Sequence, residues 1–456
     1  MRIKRLRSLA VVATLASLST LAACGSSSDA GESNGKVTIT VEGWRPGDGK
    51  DTIAAVKAQA AAFHKENPNI TVVPKEWQWN AATFPAQLAG GTLPTTFRVP
   101  FTDTKSLVER GQVADVDSVI RALPYFTQLN PTVLAAAQGT DGKIYGLPSD
   151  VYASGLHYNR TLFTQAGLDP EKPPTTWDEV RADAKAIHDK TGQAGYATMT
   201  KENQGGWILT TLTYALGGQM ETQSGDTFTA TVNNEATKQA LGYLHDMRWS
   251  DDSMSGNTSY NWNSINQAFA AGKVGMYLSG SDVYNALVTT NKINPDEYGL
   301  AAMPLGSPDG GALGGGSVNV VSAKATKAQA AAAVAWDDFF RVRKYVDEAS
   351  AVADAKLLVA DNQPVGTPTF PIFDQATWQK NQDWIKSYVN VPQQQMQSFM
   401  TGMFTQKLLS EPPSQTQALY GALDPAVQKV LSDKNADISS LLDQANDKVQ
   451  QLLDKS

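Results

Sequence analysis

The chain has 456 residues, of which 41% are apolar and 18% charged, and its formal net charge is −7. This length exceeds what one small hydrophobic core serves and predicts two or more domains. An acidic chain without a basic cluster is not expected to bind nucleic acid, and its single cysteine excludes an intrachain disulfide.

The first 24 residues follow the pattern of an export signal. Four basic residues precede an apolar run from Leu9 to Leu21, and two alanines then lead to Cys24. The run is too short, and wrongly flanked, for a membrane span. The pattern resembles a bacterial lipoprotein lipobox, in which the cysteine is acylated, for instance by palmitate, and becomes the mature N-terminus. A buried apolar or reactive thiol is the alternative interpretation of a sole cysteine.

We therefore predict a signal peptide at 1–23, followed by a lipid anchor and flexible linker at 24–36. The protein would be held at the extracytoplasmic face of the cell membrane. Gly25 to Lys36 is rich in Gly and Ser and has no apolar side chain larger than alanine. Such a tether has a root-mean-square reach of about 20 Å. No other stretch approaches the roughly 18 apolar residues of a membrane helix.

Strands and helices alternate along the chain after the linker. Apolar residues alternate with polar ones in 37–41 and recur in 70–73, which predicts two strands, and Asp51 is a candidate cap for a helix between them. A strand, a helix and a strand in this order predict a βαβ unit and an α/β lobe. A short strand at 97–99 and a short helix at 103–110 continue the alternation.

The clearest local signals lie in the middle of the chain. An extended segment around Pro148 leads into an alternating strand, and Asn159 can cap the helix that Gly167 ends. Thr176 and Glu179 have the spacing of a capping box, in which each side chain accepts from the other's backbone. A second helix is therefore predicted directly after the first.

Several segments in this order resemble one protein family. They are GLP at 146–148, YN at 158–159, AGL at 166–168, PTTWDE at 174–179, AFAAGKVGM at 268–276, GS at 280–281 and AMPLG at 302–306. Their order and spacing resemble the extracellular solute-binding proteins of ABC importers, the family that includes the maltose-binding proteins. The matches run from about residue 37 to residue 340.

The resemblance implies an α/β fold of two lobes, the type II periplasmic-binding-protein fold, with hinge strands and a ligand cleft between the lobes. Lobe one would hold 37–150 and about 304–350. Lobe two would hold 151–303 and about 351–456. The chain would cross between the lobes at 148–156 and at 300–304.

The resemblance also implies a function. A solute binds in the cleft, the lobes close around it as rigid bodies, and the closed form docks on a membrane permease. A separate ATPase supplies the energy, because the chain has no GxxxxGK[ST] phosphate loop. We expect a monomer that binds a small-molecule sugar and has no catalytic residue, no cofactor and no metal.

The ten tryptophans and fourteen tyrosines favour a sugar as the solute. The apolar faces of sugars stack on aromatic rings, and their hydroxyls require fixed polar partners. We predict ligand contacts from loop and hinge aromatics and from polar groups near them. The predicted aromatic contacts are Trp44, Trp79, Tyr152, Trp207, Trp262 and Tyr284. The predicted polar contacts are Asp103, Asp282, Gly315 and Ser317.

Each of these residues has a structural alternative. The tryptophans could pack in a core or at the hinge, and either Trp77 or Trp79 could be the buried one. Asp282 could serve only as the cap of the following helix. It stands where maltose-binding members carry a stacking tryptophan, which puts maltodextrin specificity in doubt. The glycine-rich turn at 314–317 could be a plain mobile loop.

Three other functions remain open at this point. A receptor for a polyamine or another small polar solute would use Asp282 with Asp103 or Asp150. An exported glycosidase would need two carboxylates across a cleft, but the family match includes no catalytic pair. A surface sensor could keep the fold without transport. The aromatic and amide-rich loops favour the sugar receptor.

Overall fold

The computed structural model describes residues 32–33, 35–225 and 227–455. The predicted signal peptide at 1–23 and the predicted lipid anchor at Cys24 lie outside these residues, as does most of the predicted linker. At the described end of the linker, a two-residue strand pairs antiparallel with the start of the next strand. Among the described residues, no helix is both long and apolar enough to cross a membrane.

The strands form one large mixed sheet and one small hairpin. They are β1 (Glu32–Ser33), β2 (Lys36–Trp44), β3 (Ile70–Glu76), β4 (Thr96–Pro100), β5 (Gly146–Asn159), β6 (Ala194–Tyr196), β7 (Glu221–Ser224), β8 (Thr227–Ala230), β9 (Val274–Gly280), β10 (Tyr298–Ala301), β11 (Ala312–Val321) and β12 (Leu408–Ser410). The large sheet runs in the order β1-β2-β4-β11-β5-β9-β6. In addition, β3 pairs with β2, β10 with β5 and β12 with β11, while β7 and β8 form the hairpin.

The helices cover both faces of the large sheet. They are α1 (Lys50–Glu66), α2 (Phe84–Gly90), α3 (Phe101–Glu109), α4 (Asp117–Arg121), α5 (Pro131–Ala135), α6 (Arg160–Ala166), α7 (Trp177–Thr191), α8 (Gln204–Ala215), α9 (Glu235–Trp249), α10 (Trp262–Ala270), α11 (Val283–Thr289), α12 (Lys327–Asp337), α13 (Glu348–Ala360), α14 (Gln375–Ile385), α15 (Gln397–Thr405), α16 (Thr416–Ser432) and α17 (Ile438–Leu453).

The predicted βαβ unit at the start of the fold is present. Strands β2 and β3 are parallel, and α1 connects them. Ile39 and Val41 are fully buried and pack in one cluster with Phe63 of α1 and Trp336 of α12. The predicted cap is wrong, because α1 begins before Asp51 and its cap position is Gly49, which has no side chain to accept a hydrogen bond.

The caps of the next two helices agree with the sequence. The Asn159 side chain accepts from the backbone N–H of Leu162 at 2.9 Å, and Gly167 ends α6 in the left-handed conformation with φ 81°. Thr176 and Glu179 form the predicted capping box of α7. These short-range signals succeed because their partners are only a few residues away in the chain.

Strand β5 joins the two halves of the large sheet. Its first part, from Gly146 to Ala153, pairs antiparallel with β11. Its second part, from Ser154 onward, pairs with β9 and β10 instead. The change of partners falls inside the predicted crossing at 148–156. A single continuous strand therefore belongs to two separate sheet regions.

The C-terminal half of the chain divides between the two sheet regions. Helices α16 and α17 pack against α8 and α9, beside the β9 region. Residues 348–391 contain a small cluster of their own around Ala351, Ala355, Val365 and Ile385. This segment is attached to residues assigned to lobe one, since the backbone N–H of Asp374 donates to the carbonyl of Gln128 at 2.8 Å. The lobe boundaries stay a prediction, but these bonds join part of 351–456 to residues assigned to lobe one.

Candidate ligand-binding cleft

A cleft of about 700 Å³ lies where β5 changes partners, between the two sheet regions. Its floor comes from the strands β5 and β11 and from the end of β4. One wall is the segment 344–385, and the other includes the start of α11 and the residues after β12. The polar and charged lining residues are Arg45, Arg98, Ser149, Asp150, Tyr152, Asp282, Asn285, Ser317, Lys344, Tyr345, Asp354, Thr367, Thr369, Asn381, Gln382, Glu411 and Gln417.

The floor of the cleft requires glycines in β11. A Cβ on Gly314 would lie 2.2 Å from the Leu408 side chain, and one on Gly316 would lie 2.2 Å from the Asp150 carbonyl. The prediction of a glycine-rich turn at 314–317 is therefore wrong. The residues are in the middle of a strand, where neighbours on both sides approach too closely for a side chain.

One end of the cleft contains a network of paired charges. Arg98 donates through its backbone N–H to Glu42 Oε2 at 2.8 Å, and through Nη2 to Glu42 Oε1 at 2.8 Å. Its Nη1 donates to Asp150 Oδ2 at 2.9 Å. Burial alone would raise the pKa of Asp150, but Arg341 and Arg98 outweigh it and hold that pKa below its ordinary value. These charges orient and neutralise one another.

A second region of the cleft combines carboxylates with aromatic rings. Glu411 accepts a hydrogen bond from the Tyr420 hydroxyl at 3.0 Å. The Tyr152 hydroxyl interacts with the Glu411 carboxylate and with the Trp207 indole. Burial raises the pKa of Glu411 to about 7, with a further increase from the negative charge of Asp103. In the described part of the chain, no lysine or arginine pairs with Glu411.

Residues 47–341 match the sequence model of a family described as bacterial extracellular solute-binding protein. The chain belongs to this family. The fold and the position of the cleft agree with this assignment. A putative binding protein of Brucella abortus is 28% identical over 294 residues, which are 62% of this chain and 66% of that protein.

Other relatives share less of the sequence. The sn-glycerol-3-phosphate-binding periplasmic protein UgpB of Shigella flexneri is 28% identical over 183 residues, 38% of this chain and 40% of UgpB. The chain therefore matches just under two thirds of the Brucella protein and two fifths of UgpB. The crystal structure of the cyclic alpha-maltosyl-1,6-maltose binding protein from Arthrobacter globiformis has a TM-score of 0.69 and 22% identity, covering 92% of this chain and 100% of that one. This likeness confirms the predicted two-lobed α/β fold.

Several of the predicted contact residues of this solute-binding protein lie together at the cleft. Tyr152, Asp282 and Ser317 line it. Gly315 lies directly behind Tyr152, since a Cβ there would be 2.8 Å from the Tyr152 hydroxyl. Trp207 reaches the same hydroxyl from α8. Elements far apart in the sequence thus supply one site.

Asp282 occupies the cap position of α11, but its side chain makes no capping hydrogen bond. Its carboxylate lies on the cleft side and is exposed to the cleft. Burial by surrounding atoms raises its pKa, and the nearby charge of Asp150 adds to that increase. The helix therefore does not use this carboxylate, which is left available to a ligand.

The other predicted contacts do not line the cleft. Tyr284 is buried in the core, with 1% exposure, and its ring lies 4.8 Å from that of Tyr298. Trp79 packs on Phe84 at 5.0 Å and interacts with the Asp103 carboxylate. Burial raises the pKa of Asp103. Asp103 does not line the cleft, but its negative charge raises the pKa of Glu411, which does.

Two other tryptophans, the half-buried Trp44 and the exposed Trp262, lie away from the cleft lining. The Trp44 ring is covered by Lys57, whose ammonium lies 5.6 Å from the ring centre, although its neighbour Arg45 does line the cleft. Trp262 is 38% exposed at the start of α10, and its backbone N–H donates to Gln204 Oε1 at 2.6 Å.

Sequence reasoning missed the wall formed by 344–385. The wall offers backbone, apolar and amide groups to the cleft, among them Phe370, Trp378 and Gln382. The motifs that identified the family end near residue 340, so no pattern pointed to this segment. The one usable signal is the pair Trp378 and Trp384, of which only Trp378 lines the cleft.

The cleft offers no metal site of ordinary composition. Across residues 32–33, 35–225 and 227–455, no three or more His, Cys, Asp or Glu side chains are grouped so that they could hold a metal ion. The acidic residues of the cleft are spread along it. Their chemistry is that of hydrogen-bond acceptors and fixed negative charges.

Proposed function

We propose that this solute-binding protein is the receptor of an ABC importer, which captures a di- or oligosaccharide in the cleft and delivers it to the permease. The observation that supports this proposal is the cleft itself, at the point where β5 leaves one sheet region for the other. Ligands in α/β folds commonly bind where strand connections reverse.

The lining suits a sugar. The Tyr152 ring and the apolar wall around Phe370 offer surfaces for the C–H faces of a pyranose. Ser317, Asn285 and Gln417 supply hydroxyl and amide groups for its hydroxyls. A volume of about 700 Å³ lies within the range of small-molecule sites and exceeds what a single ring fills.

Opening or closing of the cleft would change specific hydrogen bonds between its two sides. Thr367 Oγ1 donates to Asn285 Oδ1 at 2.7 Å, and both residues line the cleft from opposite walls. Lys105 Nζ donates to Gln223 Oε1 at 2.9 Å, between residues expected in different lobes. A solute shifts the balance between open and closed forms only through better contacts in the closed form.

A phosphate ester is the second candidate solute, because the relative UgpB is named for sn-glycerol-3-phosphate. The cleft contains Arg98 and Lys344, which could bind a phosphate. However, Arg98 is already bonded to Glu42 and Asp150, and Lys344 lies 3.5 Å from Asp354. A phosphate would have to compete with these carboxylates, so we place the sugar first.

Lipid anchorage at Cys24 is part of the proposal and is supported by the sequence pattern that precedes this residue. The lipid would keep the receptor near its permease and so raise its effective concentration. In cells producing the chain, we expect the protein in the membrane fraction and Cys24→Ser in the soluble fraction. Equal distribution of the two proteins would contradict the anchor.

A thermal-shift screen tests the solute class. The purified chain is heated with mono-, di- and oligosaccharides, with glycerol 3-phosphate and with polyamines. A ligand that binds only the folded state stabilises it by about 2.7 kcal/mol at one hundred times its Kd. This stabilisation raises the melting temperature. A shift with one class of saccharide supports the sugar receptor. A shift with glycerol 3-phosphate alone would replace it with the second candidate.

A further inference from the structure

The cleft contains seven charged residues, which separate into paired and unpaired groups. Arg98 forms ion pairs with Glu42 and Asp150, and Lys344 lies beside Asp354. Arg45 is exposed to solvent at the rim. Two carboxylates remain, Asp282 and Glu411, and no described lysine, arginine or histidine forms an ion pair with either.

The surroundings of both carboxylates add negative charge rather than positive charge. The charge of Asp150 acts on Asp282, and that of Asp103 acts on Glu411; each raises the pKa of the carboxylate that it faces. Carboxylates that serve only the fold are normally paired or accept several hydrogen bonds, because enclosing an unpaired charge is costly. Glu411 accepts a hydrogen bond from the Tyr420 hydroxyl at 3.0 Å, but neither carboxylate has a cationic partner among the described residues.

Tyr152 stands between the two carboxylates. A Cβ on Gly280 would lie 2.6 Å from Asp282 Oδ1 and 3.3 Å from Tyr152 Cδ2. One on Gly315 would lie 2.7 Å from Glu411 Oε2 and 2.8 Å from the Tyr152 hydroxyl, so each acid lies near a different part of the ring. Aromatic rings attract cations over their faces, and neighbouring carboxylates strengthen that attraction. The Trp207 indole contacts the same hydroxyl and adds a second ring.

Two glycines keep space beside this group. A Cβ on Gly280 would lie 2.6 Å from Asp282 Oδ1, and one on Gly315 would lie 2.7 Å from Glu411 Oε2. A larger residue at either position would require the neighbouring carboxylate to move. The two glycines thus leave room for the acids where they lie.

We propose that the solute of this cleft carries a protonated amine beside its hydroxyls, and that the amine binds between Asp282 and Glu411 against Tyr152. The proposal rests on the proposed receptor function and narrows its substrate class to amino-substituted sugars and related cationic polyols. The hydroxyls would bind along the rest of the cleft. A neutral sugar could donate hydroxyls to both carboxylates but would leave them without a cationic partner.

Matched amine and hydroxyl compounds test the proposal by calorimetric titration of the full chain. The pairs are glucosamine with glucose, galactosamine with galactose, and β-1,4-linked diglucosamine with cellobiose. Spermidine tests a cation without a sugar ring. We expect the amine member of at least one pair to bind tenfold or more tightly than its hydroxyl partner, as charge-assisted hydrogen bonds to carboxylates are about twice as strong as neutral ones.

Variants assign that preference to the two carboxylates. In Glu411→Gln and in Asp282→Asn, we expect amine binding to weaken about tenfold or more while hydroxyl binding changes little. Asp447→Asn removes the same charge from an exposed position on α17 outside the cleft and should change neither. The melting temperature of each variant without ligand shows whether it is folded.

Each outcome has a definite meaning. Equal or tighter binding of the hydroxyl members, or an amine preference that survives in both cleft variants, would overturn the amine site while sparing the sugar receptor. Binding of glycerol 3-phosphate alone would also overturn it. Binding of spermidine without any amino sugar would keep the cation site and reject the sugar. Absence of binding to every compound would overturn this inference and weaken the proposed function together.

Discussion

Two regions of the cleft use charge in opposite ways. Around Arg98, the guanidinium donates to the carboxylates of Glu42 and Asp150 at 2.8–2.9 Å. Around Tyr152, the carboxylates of Glu411 and Asp282 have no cationic partner among the described residues. A fully paired network fixes the position of strands, whereas unpaired groups at a cleft are free to bind a ligand. The comparison suggests that one end mainly builds the site and the other selects the solute.

Removal of Arg98 should break the ion pairs with Glu42 and Asp150 and cause the largest loss of stability. Arg98→Ala leaves Glu42, which is 7% exposed, without its partner. Breaking a buried pair on one side costs about 3–5 kcal/mol, so we expect a loss of about 3 kcal/mol in the free energy of unfolding. Urea denaturation measures it.

A surface arginine provides the control for that change. Arg121 is 45% exposed and pairs with Asp117 within one helix. Arg121→Ala should cost about 0.5 kcal/mol or less. If both variants lost equal stability, the Arg98 network would not be the structural element that we describe.

A methyl group in the floor should disturb both ends of the cleft. In Gly316→Ala, the new Cβ meets the Asp150 carbonyl at 2.2 Å and the Phe101 ring at 2.8 Å. Overpacking of this kind costs about 1–3 kcal/mol, and the shift of β5 should also weaken solute binding. Denaturation and calorimetric titration measure the two effects.

Another glycine shows what the same substitution does without crowding. Gly242 lies in α9 with no atom within 4 Å of an added Cβ. Gly242→Ala should stabilise the protein by about 0.5–1 kcal/mol, since alanine favours the helix. If Gly316→Ala left the free energy of unfolding unchanged or raised it, as Gly242→Ala should, the close packing of the floor would be contradicted.

The sequence predicted the fold better than it predicted the site. Caps such as Asn159 and Thr176 act over three residues, so their signals are complete in the local sequence. The site depends on contacts between distant segments. Asp282 and Glu411 are 129 positions apart in the numbering, and only the fold places both beside Tyr152. No pattern in the local sequence could predict that Glu411 lines the cleft.

Two errors show the same limit in physical terms. The glycines at 314–316 suggested a turn, because the sequence does not reveal that strands approach β11 from both sides. Tyr284 was a reasonable cleft residue from its position after Gly280. The helix turns its ring toward Tyr298 instead, and helix periodicity alone does not say which face meets the core.

The pH dependence of stability sharpens the contrast at the acidic end. The pKa of Glu411 is raised to about 7 in the folded protein by burial, so the folded state favours the protonated form. Its unfavourable effect is absent below the unfolded pKa of 4.5 and grows as the pH rises to 7. Glu411→Gln has no such charge, so we expect the variant to gain about 2 kcal/mol over the wild type between pH 5 and pH 8.

Denaturation of both proteins at several pH values measures this difference. Other buried acids, such as Asp337, titrate equally in the two proteins and cancel in the comparison. A difference that stays constant with pH would show that the Glu411 carboxylate is not held in an unfavourable environment. An opposite slope would point to a cationic partner and would also argue against the amine site.

The smallest effect should come from Trp262, which has the residue type of a sugar contact but lies outside the cleft lining. Its side chain is 38% exposed, so Trp262→Ala should change the free energy of unfolding by about 0.5 kcal/mol or less. Tyr152→Ala, at the centre of the acidic end, should weaken solute binding at least tenfold. Comparable losses of affinity in the two variants would mean that the bound solute extends beyond the cleft to α10.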